Sequence, residues 1–415
     1  MITPSRFSAR STLWIVNERS LRAVLVDKRS LDQQGPRLVQ LLAAALDGSG
    51  PAIAPLDAGL PRSQLEALLS TFAPDEIEDA GGITTVRSSK SGISPETAVI
   101  LGTSGSTGEP KGVRLSANAL LHSARASMAR IQAGPGERWL CCLPVTHVAG
   151  LQVLVRSVLS GTDPVFAEKA EPQTITASDA EHISLVPTQL RRLESDFQTL
   201  NAFKSVLLGG AAAAEALVSR ARAHGVPIVT TYGMTETCGG CVYDGLPLDG
   251  VRVDIRGGRI WISGPVLFTG YWGEPGEPGE PDQAGWFQTG DLGRLDDDGL
   301  LTISGRADDV INTGGHKVLP AEVAAALAAC PGVKDVAVVG QQDPEWGERV
   351  IAVVVAADPG DPPTLKMLRM HVKERLPRYA APSRVVLVDA VPMLPSGKPD
   401  LARLRQQVAH GWEQI

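Results

Sequence analysis

At 415 residues, with 43% hydrophobic and 20% charged side chains, the chain has the balance of a soluble globular enzyme. That length favours more than one domain, at roughly 100–200 residues each. The formal charge of −7 offers no basic field to nucleic acid or anionic membranes, so an anionic ligand must be held by local donors.

No apolar run reaches the ~18 residues of a membrane-spanning helix, and Met1 to Arg10 lack the apolar core of a secretory signal. Five cysteines, Cys141, Cys142, Cys238, Cys241 and Cys330, are too sparse for a disulfide scaffold and suit a reducing cytoplasm. Cys238 and Cys241 form one CxxC without a second pair, and read better as small buried side chains than as a metal or redox site.

In chain order, residues 98–101, 139–143, 183–186, 205–208 and 227–230 are short apolar runs bounded by Gly, Pro or Ser/Thr, the pattern of buried strands. Helical stretches lie between them. Ser116 is placed to cap one that carries Leu120, Leu121, Ala124 and Met128 on one face, and another covers residues 214–224. This alternation predicts an α/β fold, a mostly parallel sheet clothed by helices. After Gly240 the composition changes, and residues 251–256 and 258–263 predict strands around a glycine turn in a smaller β-rich subdomain. Residues 273–282, GEPGEPGEPD, hold too few Gly-X-Y triplets for collagen and read as an exposed, proline-stiffened loop. In the last hundred residues, Pro320 opens a helix that ends before Pro331-Gly332, followed by strands at 335–339 and 350–356. A helix through Leu365, Leu368, Val372 and Leu376, a strand at 384–388 and a closing helix from about Pro399 complete it. The expected division is a large N-terminal lobe, 1–307, and a small α+β C-terminal domain, 308–415.

Residues 103–113, TSGSTGEPKGV, carry the densest chemistry. They follow a buried strand and combine the hydroxyls of Thr103, Ser104, Ser106 and Thr107 with Gly105, Gly108 and Lys111. Glycines let the backbone approach an anion closely, while hydroxyls and N–H groups donate to phosphate oxygens. Composition alone would also fit a Ser/Gly surface linker. The short length, the apolar flanks and Lys111 favour a phosphate cradle, although no Walker pattern GxxxxGK[ST] fits.

This segment resembles the signature phosphate loop of the adenylate-forming superfamily, which contains acyl-CoA synthetases, peptide-synthetase adenylation domains and beetle luciferases. Further segments resemble that family's motifs in its order: LPVTH at 143–147, LGGA at 208–211, TYGMTET at 231–237, TGD at 289–291, GRAD at 305–308 and PSGKP at 395–399. Together they cover roughly residues 98 to 400. The resemblance implies an acid–thiol ligase that uses ATP, Mg2+ and CoA and acts on a small carboxylic acid through an acyl-adenylate.

Carried over residue by residue, the resemblance implies that Thr103, Ser104, Gly105, Ser106, Thr107, Gly108 and Lys111 hold the β- and γ-phosphates. Gly210 and Ala211 would lie under the adenine, with Gly210 also bordering the acyl group. Tyr232, Gly233 and Met234 would line the adenine, Tyr232 stacking on it, and Thr235 would bind the α-phosphate. Glu236 would hold Mg2+, a hard ion that prefers carboxylate and phosphate oxygen. Asp291 would accept both ribose hydroxyls, assisted by Arg306. His147, otherwise an ordinary core histidine, would lie beside the acyl carboxylate. Lys398 would be the catalytic cation reaching the α-phosphate and the substrate carboxylate, against the usual reading of a loop lysine as a solvated charge. A mobile C-terminal domain hinged at Asp308 would present a second face for thiol transfer. Gly314, Gly315, His316 and Lys317 would line the thiol's approach, a tetrapeptide that also reads as a plain β-turn. His122, His224 and His371 match no motif and read as structural or exposed.

Residues 184–193, SLVPTQLRRL, with LLGGAA at 207–212 and YGMTETC at 232–238, are similar to the o-succinylbenzoate–CoA ligases of menaquinone biosynthesis. That resemblance implies a dicarboxylate substrate and assigns Arg192 to the carboxylate that does not react, through charge-assisted hydrogen bonds. Arg191 and Arg192 are adjacent, so one of them is expected to be merely exposed. The alternatives are another aryl or fatty acid–CoA ligase, a carrier-protein-loading enzyme or, more remotely, a non-catalytic adenylate-binding regulator. Retention of Lys398, Glu236, Asp291 and Arg306 together disfavours the last. About 97 residues precede the phosphate-loop strand, fewer than in typical relatives. No nucleic-acid or integral-membrane partner is expected, and a homo-oligomer is left open.

Overall fold

The computed structural model describes residues 19–86, 93–104, 110–272, 280–394 and 399–410, and four sheets organise them. In the first, strands Thr97–Ser104, Ala52–Asp57, Leu21–Val26 and Glu76–Asp79 lie parallel. Antiparallel strands Pro110–Ser116 and Gly270–Trp272 close one edge and Gly82–Thr85 the other. In the second, Ile228–Met234, Ser205–Leu208, His182–Leu185, Trp139–Cys141 and Val165–Phe166 are parallel, with Gly239–Tyr243 and Leu246–Pro247 antiparallel at one edge. The parallel character expected from the sequence holds through the middle of both sheets and gives way at their edges, where short hairpins reverse the chain.

Three helices fill the space between these sheets. Helix Leu31–Asp47 buries Leu31, Leu38, Leu41, Leu42 and Ala45, a stripe at helical spacing. Helix Ala117–Arg130 starts where expected, with Ser116 Oγ accepting the Ala119 N–H at 3.1 Å. With helix Val148–Ser160 they form one continuous core. It runs from Val99 and Leu101 of the first sheet through Leu42, Leu120 and Leu151 to Trp139, Leu207 and Val242 of the second.

A four-stranded antiparallel sheet, Arg252–Arg256, Arg259–Ser263, Trp286–Leu295 and Leu301–Arg306, is the β-rich subdomain. The fourth sheet holds Ile311–Thr313, His316–Val318, Val333–Asp343, Gly347–Ala356 and Arg384–Leu387, with helices Pro320–Ala328, Leu365–Lys373 and Leu401–His410. Its two hydrophobic clusters use only residues 311–408 and share none with the clusters of residues 21–301.

The structure adds elements that the sequence reading does not contain. Before strand Thr97–Ser104 it shows four strands of the first sheet and two α-helices, Leu31–Asp47 and Arg62–Phe72. Pro110–Ser116 is a strand, its period-2 burial of Val113 and Leu115 masked by Pro110 and Gly112, both poor strand formers. The strand expected at 227–230 continues to Met234, because Gly239–Tyr243 returns beside it. Residues 273–279 of the proline-rich loop and 395–398, including Lys398, lie outside the described residues. No helix among the described residues is long and apolar enough to cross a membrane.

Candidate functional site

At the carboxyl end of the second sheet, three segments singled out in the sequence come together. Strand Ser205–Leu208 ends in Gly209-Gly210, strand His182–Leu185 runs into helix Pro187–Arg192, and strand Ile228–Met234 runs into the turn Thr235–Thr237. The carboxyl ends of parallel strands are where an α/β sheet opens a ligand crevice. A Cβ on Gly210 would meet Val186 Cγ1 at 3.2 Å, and half-buried Ala211 follows. The strand bulges between Tyr232 and Gly233, and a Cβ on Gly233 would lie 2.0 Å from the Gly239 carbonyl oxygen, so only glycine fits there. Met234 N–H donates to Thr237 Oγ1 at 2.9 Å, and Thr237 Oγ1 donates to the Gly239 carbonyl at 2.7 Å, which fixes the turn carrying Thr235 and Glu236.

Tyr232 OH donates to Asp291 Oδ2 at 2.8 Å, and Arg306 Nη1 lies 3.4 Å from Asp291 Oδ1. Asp291 and Arg306 are register partners on adjacent strands. Thr289 Oγ1 accepts the Asp291 N–H at 3.1 Å and donates to the Ile260 carbonyl at 2.9 Å, anchoring the TGD segment of strand Trp286–Leu295. Burial, and then the charge of Asp291, push the Tyr232 phenol well above its ordinary range, so it stays a protonated donor. Tyr232, Asp291 and Arg306 thus form one cluster.

Thr103 and Lys111 face each other across the hairpin of strands Thr97–Ser104 and Pro110–Ser116, with Thr103 Oγ1 3.4 Å from the Lys111 carbonyl. Ser104 ends the first strand; Gly105, Ser106, Thr107 and Gly108 lie outside the described residues. Lys111 Nζ sits 5.4 Å from the centroid of the Tyr271 ring, and Tyr271 OH donates to Glu236 Oε1 at 3.0 Å. Lys111 and Glu236, far apart in the chain, therefore meet around one aromatic side chain. Sequence reasoning passed over Tyr271; its only signal is an aromatic beside glycine in FTGYW, 268–272, with no charged residue in that run to draw attention. Among the described residues no group of three or more His, Cys, Asp or Glu could hold a metal by itself. One carboxylate beside hydroxyls suits Mg2+, which keeps several waters and binds through one or two carboxylates and substrate phosphates.

His147 precedes helix Val148–Ser160 and is exposed, its carbonyl accepting the Leu151 N–H at 2.9 Å. Arg192, last in its helix, is exposed too. The neighbouring Arg191 reaches the C-terminal sheet, with Nη1 2.8 Å from the Lys334 carbonyl and 2.9 Å from Asp335 Oδ1. Asp308 lies in the turn Ala307–Asp309, its Oδ2 3.5 Å from Arg306 Nη2. Gly314 and Gly315, with φ of 56° and 79°, form a two-residue hairpin turn between Ile311–Thr313 and His316–Val318. His316 stacks on Tyr379 with centroids 4.1 Å apart, and Lys317 is exposed. Cys238 and Cys241 are free and fully buried, and burial pushes the Cys241 thiol up to about 12, so both pack rather than react. His122 and His224 bond to the carbonyls of Asp249 and Arg220.

Residues 3–272 match the model of the AMP-binding enzyme family, and residues 322–398 that of the AMP-binding enzyme C-terminal domain. The chain belongs to the AMP-binding enzyme family. Among its relatives, the probable 2-succinylbenzoate–CoA ligase of Mycobacterium tuberculosis is 41% identical over 388 residues, 90% of this chain and 95% of that one. Among solved structures of the family, o-succinylbenzoate CoA synthetase from Bacillus subtilis with the acyl-adenylate intermediate OSB-AMP is 26% identical. It matches with a TM-score of 0.79 over 96% of this chain and 90% of that one. The same enzyme with ATP and magnesium ion is 27% identical, with a TM-score of 0.77 over 94% and 90%. The order of motifs along the sequence thus led to the family that whole-chain similarity shows.

Proposed function

We propose that this chain is an ATP-dependent 2-succinylbenzoate–CoA ligase. It joins the acid to AMP as an acyl-adenylate with release of pyrophosphate, then passes the acyl group to the thiol of CoA. One observation carries the reading. Tyr232–Asp291 and Tyr271–Glu236 are two tyrosine–carboxylate pairs set four residues apart on one strand and turn at the carboxyl end of a parallel sheet. At ~3.3 Å per residue that spacing spans at most roughly 13 Å, which suits a nucleotide lying along the strand end with its ribose at one pair and its phosphates at the other. The 41% identical relative named for this activity, and the structural matches to complexes with OSB-AMP and with ATP and magnesium, support the same substrates.

In this reading the carboxylate attacks the α-phosphorus, so negative charge approaches negative charge, and preorganised donors must offset the repulsion. Asp291 accepts the ribose hydroxyls with Arg306 beside it, Tyr232, Gly233 and Met234 flank the adenine above Gly210 and Ala211, and Thr235 donates to the α-phosphate. The loop from Thr103 to Lys111 holds the β- and γ-phosphates. Magnesium bound at Glu236 supplies neutralising charge on the phosphates. Lys398 bridges the α-phosphate and the acid, His147 flanks the reacting carboxylate, and Arg192 binds the second carboxylate of the substrate. The separate hydrophobic clusters support a division at 307/308, with Asp308 as the hinge. Gly314, Gly315, His316 and Lys317 then border the thiol's path. Five buried, free cysteines fit a reducing cytoplasm, and light scattering on the purified chain decides between monomer and homo-oligomer.

The test is pyrophosphate release with ATP and Mg2+ across a panel of acids, with CoA present or withheld. Release and thioester formation are expected with o-succinylbenzoate above benzoate or fatty acids. Preference for another acid, or transfer to a carrier protein in place of CoA, overturns the reading.

A further inference from the structure

We infer that Tyr271 is a positioning residue of the phosphate half of the site: it orients the Glu236 carboxylate for its metal and seats the Lys111 ammonium beside it. The inference rests on the proposed role of Glu236. Tyr271 lies in strand Gly270–Trp272, which pairs antiparallel with the strand returning from the phosphate loop, Tyr271 opposite Val113 and Trp272 opposite Gly112. Its N–H donates to Glu280 Oε1 at 3.0 Å, and Glu280 lies 3.9 Å from Arg114 Nη2. Phe268 meets the tyrosine ring edge-on, with centroids 5.0 Å apart, and packs the same way on Phe287 at 5.2 Å. Phe268 N–H in turn donates to the Glu236 carbonyl at 2.9 Å. Strand pairing and the Glu280 acceptor thus fix the Tyr271 backbone, and the buried Phe268 edge packs against its ring.

From that seat the side chain touches both charged partners. Its hydroxyl donates to Glu236 Oε1 at 3.0 Å, and its ring centroid lies 5.4 Å from Lys111 Nζ. A donated hydrogen bond on one carboxylate oxygen fixes the plane of the group and directs the other oxygen's lone pairs. Such partners of ligating carboxylates typically change metal affinity by about 10–100-fold when removed. The ring face attracts the ammonium through its quadrupole. Glu236 comes from the second sheet and Lys111 from the first, so Tyr271 sets the separation of a cation and a metal-binding anion carried by different parts of the large lobe.

Two variants separate the two contacts. Tyr271→Phe keeps the ring near Lys111 and removes the hydroxyl; Tyr271→Leu removes both. Mn2+ binding is read by electron paramagnetic resonance in the presence of ATP, with AMP affinity by calorimetry as the control for a folded nucleoside site. Tyr271→Phe is expected to raise the Mn2+ concentration for half-saturation by about 10–100-fold while AMP affinity stays unchanged. Tyr271→Leu is expected to weaken ATP binding further, again sparing AMP. Unchanged Mn2+ half-saturation in Tyr271→Phe, or equal losses for AMP and ATP, overturns the inference. Glu236→Gln distinguishes the levels: if it weakens Mn2+ binding and Tyr271→Phe does not, the positioning role alone fails. If Glu236→Gln leaves Mn2+ binding intact, the metal role of Glu236 fails and this inference goes with it.

Discussion

The two ends of the second parallel sheet carry polar clusters of similar size and different character. At the carboxyl end lie the Tyr232–Asp291–Arg306 and Tyr271–Glu236–Lys111 groups. At the amino end, where Trp139, His182 and Ser205 begin three neighbouring strands, Glu137 accepts from Lys204, from His182 Nε2 at 2.9 Å and from the Gly134 N–H at 2.7 Å. His182 also bonds Ser205 Oγ at 2.8 Å and stacks on Trp139, and the buried Arg156 guanidinium lies 4.4 Å from the Trp139 ring. Here both oxygens of the Glu137 carboxylate are answered by neighbours and His182 has no exposed surface. The carboxylate pushed furthest down among the described residues, to about 2, is Glu137, held there first by Lys204 and then by His182. Perturbed titration thus occurs at both ends, raised at Tyr232 and lowered at Glu137. It is strand polarity that distinguishes the carboxyl end, where an α/β sheet opens a ligand crevice.

Substitutions at the two ends should therefore separate chemistry from stability. Lys398→Ala, at the proposed catalytic cation, is expected to abolish adenylate formation while thioester formation from supplied acyl-AMP continues. Single-turnover assays of each half-reaction check this, and equal loss of both contradicts the role. Glu236→Gln should reduce pyrophosphate release by about 10²–10³-fold, the usual cost of removing one electrostatic stabiliser, with a melting temperature near that of the parent. At the amino end the pattern reverses. His182→Ala should destabilise the fold by roughly 3 kcal/mol through a core cavity and a lost ring stack, read from urea midpoints, while kcat per folded molecule changes little. A large loss of kcat there would erase the distinction between the ends.

Acid should act on the amino end in two stages. Burial lowers the His182 pKa despite its bond to Glu137, so its neutral form is favoured in the fold. A group with a lowered folded pKa contributes stability above its unfolded value and loses it as pH falls. His182 should cost stability below ~6.5, and Glu137 from ~4.3 downward towards about 2. Urea midpoints at descending pH should show both steps, with Glu137→Gln flattening the lower one. The smallest effect is expected between the lobes: Arg191→Ala removes the bond to Asp335 and should cost under ~1 kcal/mol, because both side chains are about a third exposed.

Much of the carboxyl end was legible because its chemistry is local. The YGMTET run sets Tyr232 and Glu236 four residues apart and the TGD run sets Thr289 two residues before Asp291, so each pair stays close in any fold. The amino-end cluster was not legible. Glu137, His182, Lys204 and Ser205 sit in unrelated segments and become neighbours only when three strands lie side by side. Tyr271 escaped for the same reason, since its partners Lys111 and Glu236 arrive from different sheets.

By itself the sequence determined the α/β class, the helix cap at Ser116, the glycine turns, the burial of the CxxC pair and the order of motifs that leads to the AMP-binding enzyme family. Each follows from short-range periodicity, backbone sterics or residue chemistry read within one segment. Tertiary structure alone decided that Arg191 rather than Arg192 touches the C-terminal sheet, that Tyr232 and Tyr271 each bond a carboxylate, and that Glu137 is the perturbed acid. Those facts depend on strand register and on which ends of the sheets face each other, distances that no single stretch of chain encodes.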